Sequence, residues 1–148
     1  MSKLSANQIT DLTGKTILNN TGGILQVVQS TGGGSVSTTS GSYVSTGLNC
    51  SITPSSSTSK ILVLASGYAQ NVAGNGTYYS INRGSTQIQS ILIQYANNNT
   101  NNICAICENI LDSPATTSQI IYNTNFAIYG GSISTVGNLV LILMEVSG

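Results

Sequence analysis

Histidine is absent from the 148-residue chain. That removes the commonest general base, the usual metal ligand and the Ser–His nucleophilic pair together. Serine and threonine are abundant, but none has a partner in the sequence that would activate it. The carboxylates Glu108 and Asp112 stand four apart, a pairing that suggests glycoside cleavage. On a strand they share a face about 13 Å apart, at ~3.3 Å per residue, which exceeds the roughly 9.5 Å limit of inverting enzymes. Cys104-Ala-Ile-Cys107 has the spacing of a redox or zinc half-site. Strand alternation sends those two thiols to opposite faces, and no second cysteine pair or histidine completes four ligands. Thr31-Gly-Gly-Gly34 lacks the Gly-Lys-Ser/Thr and the helix N-terminus of a phosphate loop, so it reads as a flexible turn. No catalytic, metal-ligating or cofactor-binding residue is assigned, no cofactor is expected, and the chain reads as non-enzymatic.

Tyrosine is the remaining chemistry. Tyr68, Tyr78, Tyr79, Tyr95, Tyr122 and Tyr129 together could stack sugars through their ring faces. Against that, tryptophan is absent, and the neighbours Tyr78 and Tyr79 must point to opposite faces of a strand. Rings filling sheet edges or a subunit seam are the plainer account.

Charge narrows the partners. Charged residues make up only 5% of the chain, four cations against four anions, so the surface must be built from Ser, Thr, Asn, Gln and Gly. Four scattered cations cannot supply the basic stripe that nucleic acid or an anionic membrane requires. The apolar run Leu139–Met144 is far shorter than a spanning helix, so membrane insertion is not expected. Net charge near zero leaves copies of the chain free of mutual repulsion, which favours a homo-oligomer. Three cysteines cannot all pair internally, and Met1-Ser-Lys-Leu-Ser lacks the apolar stretch of a signal peptide. Synthesis in a reducing cytoplasm with free thiols follows.

The elements that must carry these residues are strands. From Gly23 onward short apolar runs alternate with turns rich in Gly, Asn, Ser and Pro. Candidate strands are 24–29, 43–46, 48–53, 60–70, 77–83, 86–95, 103–111, 118–129 and 137–146, with a weaker one at 36–39. Leu48, Cys50 and Ile52 alternate with polar neighbours, giving one buried and one wet face. Residues 61–65 and 139–144 are apolar on both faces, as in strands covered on both sides, centrally in a sandwich or at a subunit interface. Arg83-Gly84-Ser85 reads as a tight hairpin, and Pro54 and Pro114 end the strands before them. No sustained helical stripe occurs. The fold class is all-β, an antiparallel β-sandwich of jelly-roll type with about eight to ten strands.

Residues 1–22 differ in composition, holding Lys3, Asp11 and Lys15. They read as an N-terminal arm ahead of a β-sandwich domain over 23–148. Residues 5–12 fit one helical turn capped by Ser5 or an extended arm, and periodicity does not decide between them.

The run Gly23-Ile-Leu-Gln-Val-Val-Gln-Ser30 with the Ser/Thr-rich stretch to Val44 resembles the start of a domain found in tailed-phage tail fibres, widespread in phages of cyanobacteria and other marine bacteria. The likeness continues through Gly47-Leu-Asn-Cys-Ser-Ile-Thr-Pro-Ser-Ser-Ser-Thr-Ser-Lys-Ile-Leu-Val63. It returns at Gly76-Thr-Tyr-Tyr-Ser-Ile-Asn-Arg-Gly-Ser-Thr-Gln-Ile88, at Leu111-Asp-Ser-Pro-Ala-Thr-Thr-Ser118 and at the closing Leu141-Ile-Leu-Met-Glu-Val146. The resemblance implies a trimeric β-sandwich part at the virion exterior, on the tail or the capsid surface, and carries over no catalytic residue. In such fibres the domain closes a much longer chain, whereas here a short arm precedes it.

The expectation is therefore a short tail fibre or tail-tip component, assembled as a homotrimer with other virion proteins as neighbours. The alternatives are a capsid decoration protein and a carbohydrate-binding module for host surface glycans. Host-contact loops are expected at Asn71 and Asn75, and at Asn97, Asn98, Asn99, Asn101 and Asn102. Docking is assigned to the arm through Leu4, Ile9 and Leu12. Core or seam positions are Val27, Ile52, Leu62, Leu64, Ile81, Ile106, Leu139, Leu141 and Leu143.

Overall fold

The computed structural model describes residues 8–10, 13, 16–19, 22–32, 34–71, 76–95, 102–130 and 132–148. Its elements are β1 (Gln8–Thr10), β2 (Thr16–Asn19), β3 (Ile24–Thr31), β4 (Val36–Thr38), β5 (Val44–Ile52), β6 (Lys60–Asn71), β7 (Gly76–Arg83), β8 (Thr86–Tyr95), β9 (Asn102–Asp112), β10 (Ile120–Tyr129) and β11 (Ser134–Val146). No helix occurs among the described residues. Within the segment 5–12 the chain is extended at β1, which pairs antiparallel with β2, and these two strands form a sheet of their own.

The remaining strands form two antiparallel sheets. One has the order β3-β11-β6-β9, with β4 added beside β11, and the other the order β5-β10-β7-β8. With β4 set aside, the sandwich strands fall in the order first, eighth, third, sixth on one sheet and second, seventh, fourth, fifth on the other. That is the double Greek key of a jelly roll. Every pairing is antiparallel because every connection hops between sheets or turns back on itself.

Alternation places the core. Ile61 and Val63 of β6 and Leu141 and Leu143 of β11 face Leu48, Ile52, Tyr79, Ile81, Tyr122 and Phe126 of the other sheet, all buried. Fully burying one such side chain contributes about 1.5–3 kcal/mol. Six of the nine core-or-seam positions, Ile52, Ile81, Ile106, Leu139, Leu141 and Leu143, lie in this layer. Val27, Leu62 and Leu64 point away from it.

Two features bend the ladders. The runs 43–46 and 48–53 form one strand, β5, because Gly47 adopts a φ of 80° and lets the chain bulge. The register against β10 then steps from Asn49↔Asn123 to Ser45↔Asn125. On β11 the register against β6 steps between Gly137 and Val140, and Asn138 takes a φ of 50°. The bulge presses Leu139 against Gly67, where an added Cβ would lie 2.7 Å from the leucine side chain. The Arg83-Gly84-Ser85 hairpin forms as read, with Gly84 at a φ of 58°.

Candidate functional site

Four ionisable side chains of the sandwich, Arg83, Glu108, Asp112 and Glu145, hydrogen-bond between its segments. Arg83, at the end of β7, places Nη1 3.0 Å from Oδ1 and 2.8 Å from Oδ2 of Asp112, at the end of β9. The Tyr122 hydroxyl, from β10, donates to Asp112 Oδ2 at 2.6 Å. One carboxylate thus clasps the two sheets at one end of their strands. Burial, and then the carboxylate it serves, hold the Tyr122 phenol well above its ordinary pKa. The partner acid Glu108 shares the inner face of β9, as strand alternation requires, and accepts from Gln89 Nε2 at 2.9 Å. Burial pushes its carboxyl up. The two acids are therefore tied to different partners and converge on no common space.

Glu145 went unrecognised in the sequence as anything special. It is fully buried in β11. Its Oε1 accepts from the Ser55 N–H and the Ser55 hydroxyl, both at 2.7 Å, and its Oε2 accepts from Gln26 Nε2 at 2.6 Å. Burial acts to raise its pKa, but the hydrogen bonds from Ser55 and Gln26 overrule it and hold the carboxyl at about 2. The only available signal was a lone acid inside an apolar strand.

Cys104 is half-buried on the inner side of β9 and Cys107 is exposed on the outer side, so they do not converge. Cys50 is buried, and burial raises its thiol pKa. Among the described residues no group of three or more His, Cys, Asp or Glu side chains is placed to hold a metal ion.

Of the asparagines assigned to contact loops, Asn71 is 0% exposed and belongs to the interior. It closes a polar cluster between the sheets, where Thr77 Oγ1 donates to Asn71 Oδ1 at 2.5 Å and also meets Ser134. Inward alternation at the end of β6 puts it there rather than in a loop. Asn102 opens β9, is half-buried and pairs with Asn71 in register. Asn75, Asn97, Asn98, Asn99 and Asn101 lie outside the described residues, as do Leu4 and Leu12 of the arm. Ile9 is in β1.

The outer faces of the two sheets differ in chemistry. On the four-stranded sheet the cross-strand rows are polar: Asn49, Asn123, Asn82 and Gln87 stand in one, Ser45, Asn125, Ser80 and Ser90 in the next. Asn82 Nδ2 donates to Asn123 Oδ1 at 3.2 Å, and Asn123 Nδ2 donates to the Gly84 carbonyl at 2.8 Å. Tyr43, just before β5, hydrogen-bonds Ser90 on the far edge strand. The ring therefore lies over the outer face of this sheet. Ser80 on β7 and Ala127 on β10 are shut from water. Tyr78 and Tyr129 meet edge-to-face, with ring centroids 5.2 Å apart. Of the tyrosines weighed as a sugar platform, Tyr79 and Tyr122 are core, and Tyr43, left out of that set, is exposed.

The outer face of the five-stranded sheet has an apolar centre. Val27, Met144, Leu62 and Leu111 form one cross-strand row, and Ile142 and Leu64 occupy the middle of the next. At the sandwich edge, a cleft of about 350 Å³ runs between the end of β3, the start of β4 and β5. Its lining of Ser30, Thr31, Ser35, Thr46 and Asn49 around Val36 and Leu48 carries no ionisable group.

No protein family and no curated protein matches the sequence. Among solved structures, the chain is similar to the VP2 subviral particle of infectious bursal disease virus, at 11% identity and a TM-score of 0.46 over 98% of this chain and 42% of that one. It is similar to the Gx strain of the same virus at 11% identity and a TM-score of 0.46, over 97% and 42% of the two chains. The Gt strain follows at 14% identity and a TM-score of 0.42, over 98% and 43%. The chain spans about two fifths of the length of these chains.

Proposed function

We propose that this chain is a non-enzymatic structural part of a bacteriophage particle, a short tail fibre or tail-tip component assembled as a homotrimer at the virion exterior. The observation that carries the reading is the use of its acids. Asp112 and Glu145 are occupied in tying strands together, Glu108 is held by Gln89, and no pair of them addresses a common substrate space. The segments that carry the tail-fibre resemblance coincide with the framework: 23–30 with β3, 47–63 with β5 and the start of β6, 76–88 with the β7–β8 hairpin, and 141–146 with the closing half of β11. Placement on the capsid as a decoration protein would use the same rigid unit. Peptides from this chain in a digest of purified particles are the expected result. Particles that lack it would overturn the reading.

Residues 1–22 serve as the docking element in this proposal. Their two strands pair with each other and with no strand of the sandwich, and an isolated two-stranded hairpin is marginal in water. Deleting residues 2–21 is expected to abolish incorporation into particles while the sandwich stays folded. Normal incorporation of the truncated protein refutes that role.

A second reading, recognition of a neutral host-surface glycan, is favoured by one observation. Tyr43, Tyr78 and Tyr129 lie on an outer face that also carries rows of amides and hydroxyls, the pairing of ring faces and uncharged donors that sugars use. Quenching or enhancement of tyrosine fluorescence on titration with host polysaccharide, lost in Tyr43→Ala and Tyr78→Ala, is the expected outcome. An unchanged signal with every host polysaccharide leaves scaffolding alone.

A further inference from the structure

We infer that copies of this chain meet through the outer face of the five-stranded sheet, which lies against the same face of its neighbours around the assembly axis. The inference rests on the homotrimer reading above and specifies its seam.

The centre of the face is built from β11 and β6. Met144 pairs with Leu62 and Ile142 with Leu64, so four apolar side chains stand together on the side away from the core. Val27 on β3 and Leu111 on β9 extend the first row to both edges, and they are 53% and 50% exposed. The other sheet packs on the opposite side of these strands. Such a face in water is unfavourable at about 25 cal/mol per Å².

Its size and surroundings fit a second copy. Four strands at ~4.8 Å and the rows from Leu62 to Gln70 give a footprint of about 19 Å by 26 Å, roughly 500 Å² in projection. That footprint takes in the apolar centre and its polar surround together, and a standard interface uses about 800 Å² of accessible surface per partner. Polar side chains surround the apolar centre: Gln29 and Asn109 flank Ile142 and Leu64 in their row, and Ser66 follows Leu64 on β6. A dry centre with a polar rim is the anatomy of an interface. The acids Glu108, Asp112 and Glu145 all belong to the inner side of their strands, and Lys60 lies beyond Leu62 at the end of the face. A chain with zero net charge brings such faces together without repulsion. A partner rich in charge would find no complement there.

The test compares the native mass of the wild-type protein with that of the double variant Leu64→Glu, Ile142→Glu. The expected result is an oligomeric wild type and a monomeric, folded variant, while Ile121→Glu on the outer face of the other sheet leaves the oligomer intact. An oligomeric double variant overturns the seam and leaves the homotrimer reading standing, and a monomeric wild type overturns both. Should the double variant not fold, Leu64→Cys in a Cys104→Ser, Cys107→Ser background decides the matter. Mild oxidation is expected to cross-link copies through position 64. Cross-links no more abundant than in the same background with Leu64 retained contradict the seam.

Discussion

Ser55 donates twice to one oxygen of Glu145, from its backbone N–H and from its hydroxyl, each at 2.7 Å. With Gln26 on the other oxygen, the carboxylate joins the turn after β5 to the edge strand β3 through the central strand β11. A buried charge without a cation is tolerable here because three donors replace its water.

Removing that charge leaves its donors stranded. Glu145→Leu is expected to destabilise the fold by about 3 kcal/mol, because desolvated donors lose their partner. Chemical denaturation read by tyrosine fluorescence measures it. A cost below about 1 kcal/mol would show that the network is incidental.

The acid limb of stability follows from two shifts of opposite sign. Glu145 titrates near 2 in the fold, below the roughly 4.3 of an unfolded glutamate. Its contribution is fully present above about pH 4.3 and is lost as the pH falls toward 2. Glu108 is raised by burial, so its charge opposes folding at neutral pH and that penalty is relieved on acidification through its folded pKa. Thermal melts should therefore show stability holding or rising slightly from neutral into mild acid, then falling below about pH 4. Glu108→Gln should remove the rise, and Glu145→Gln should flatten the fall.

Tyr122→Phe tests the clasp between the sheets. It deletes the hydroxyl that donates to Asp112 at 2.6 Å and leaves Arg83 in place. A hydrogen bond to a charged group contributes about 1.5–3 kcal/mol, so Tm should fall by roughly 5 °C. An unchanged Tm would mean that the arginine alone secures this end of the sandwich.

Gly67→Ala and Gly41→Ala separate close packing from mere flexibility. At Gly67 a Cβ would meet the Leu139 side chain at 2.7 Å and the Gly137 carbonyl at 2.8 Å, whereas at Gly41 nothing lies within 4 Å. The first should cost about 2 kcal/mol or more, as overpacking does. The second should be neutral or stabilise by up to about 1 kcal/mol through the unfolded chain.

Strand positions were legible because the signal is local. The run 86–95 coincides with β8, and 103–111 lies within β9. The split of β5 was misread because Gly47 resembles a turn in sequence, and only the pairing with β10 shows it to be a bulge. The interior place of Asn71 was hidden for a related reason: a polar residue beside a loop is read as wet, and its partners Thr77 and Ser134 lie on other strands. Glu145 and Tyr43 act through residues far away in sequence, Gln26 and Ser90, so no spacing rule reaches them. The doubly apolar strands were legible as needing two covers. The fold supplies the inner one at Val63 and Leu141 and leaves the outer one at Leu64 and Ile142.

The central claim, a self-assembling structural part, is tested most directly by the native mass of the purified full-length protein at micromolar concentration. The expected result is a species three times the mass of the 15.2 kDa chain. A single species at the mass of one chain would contradict it.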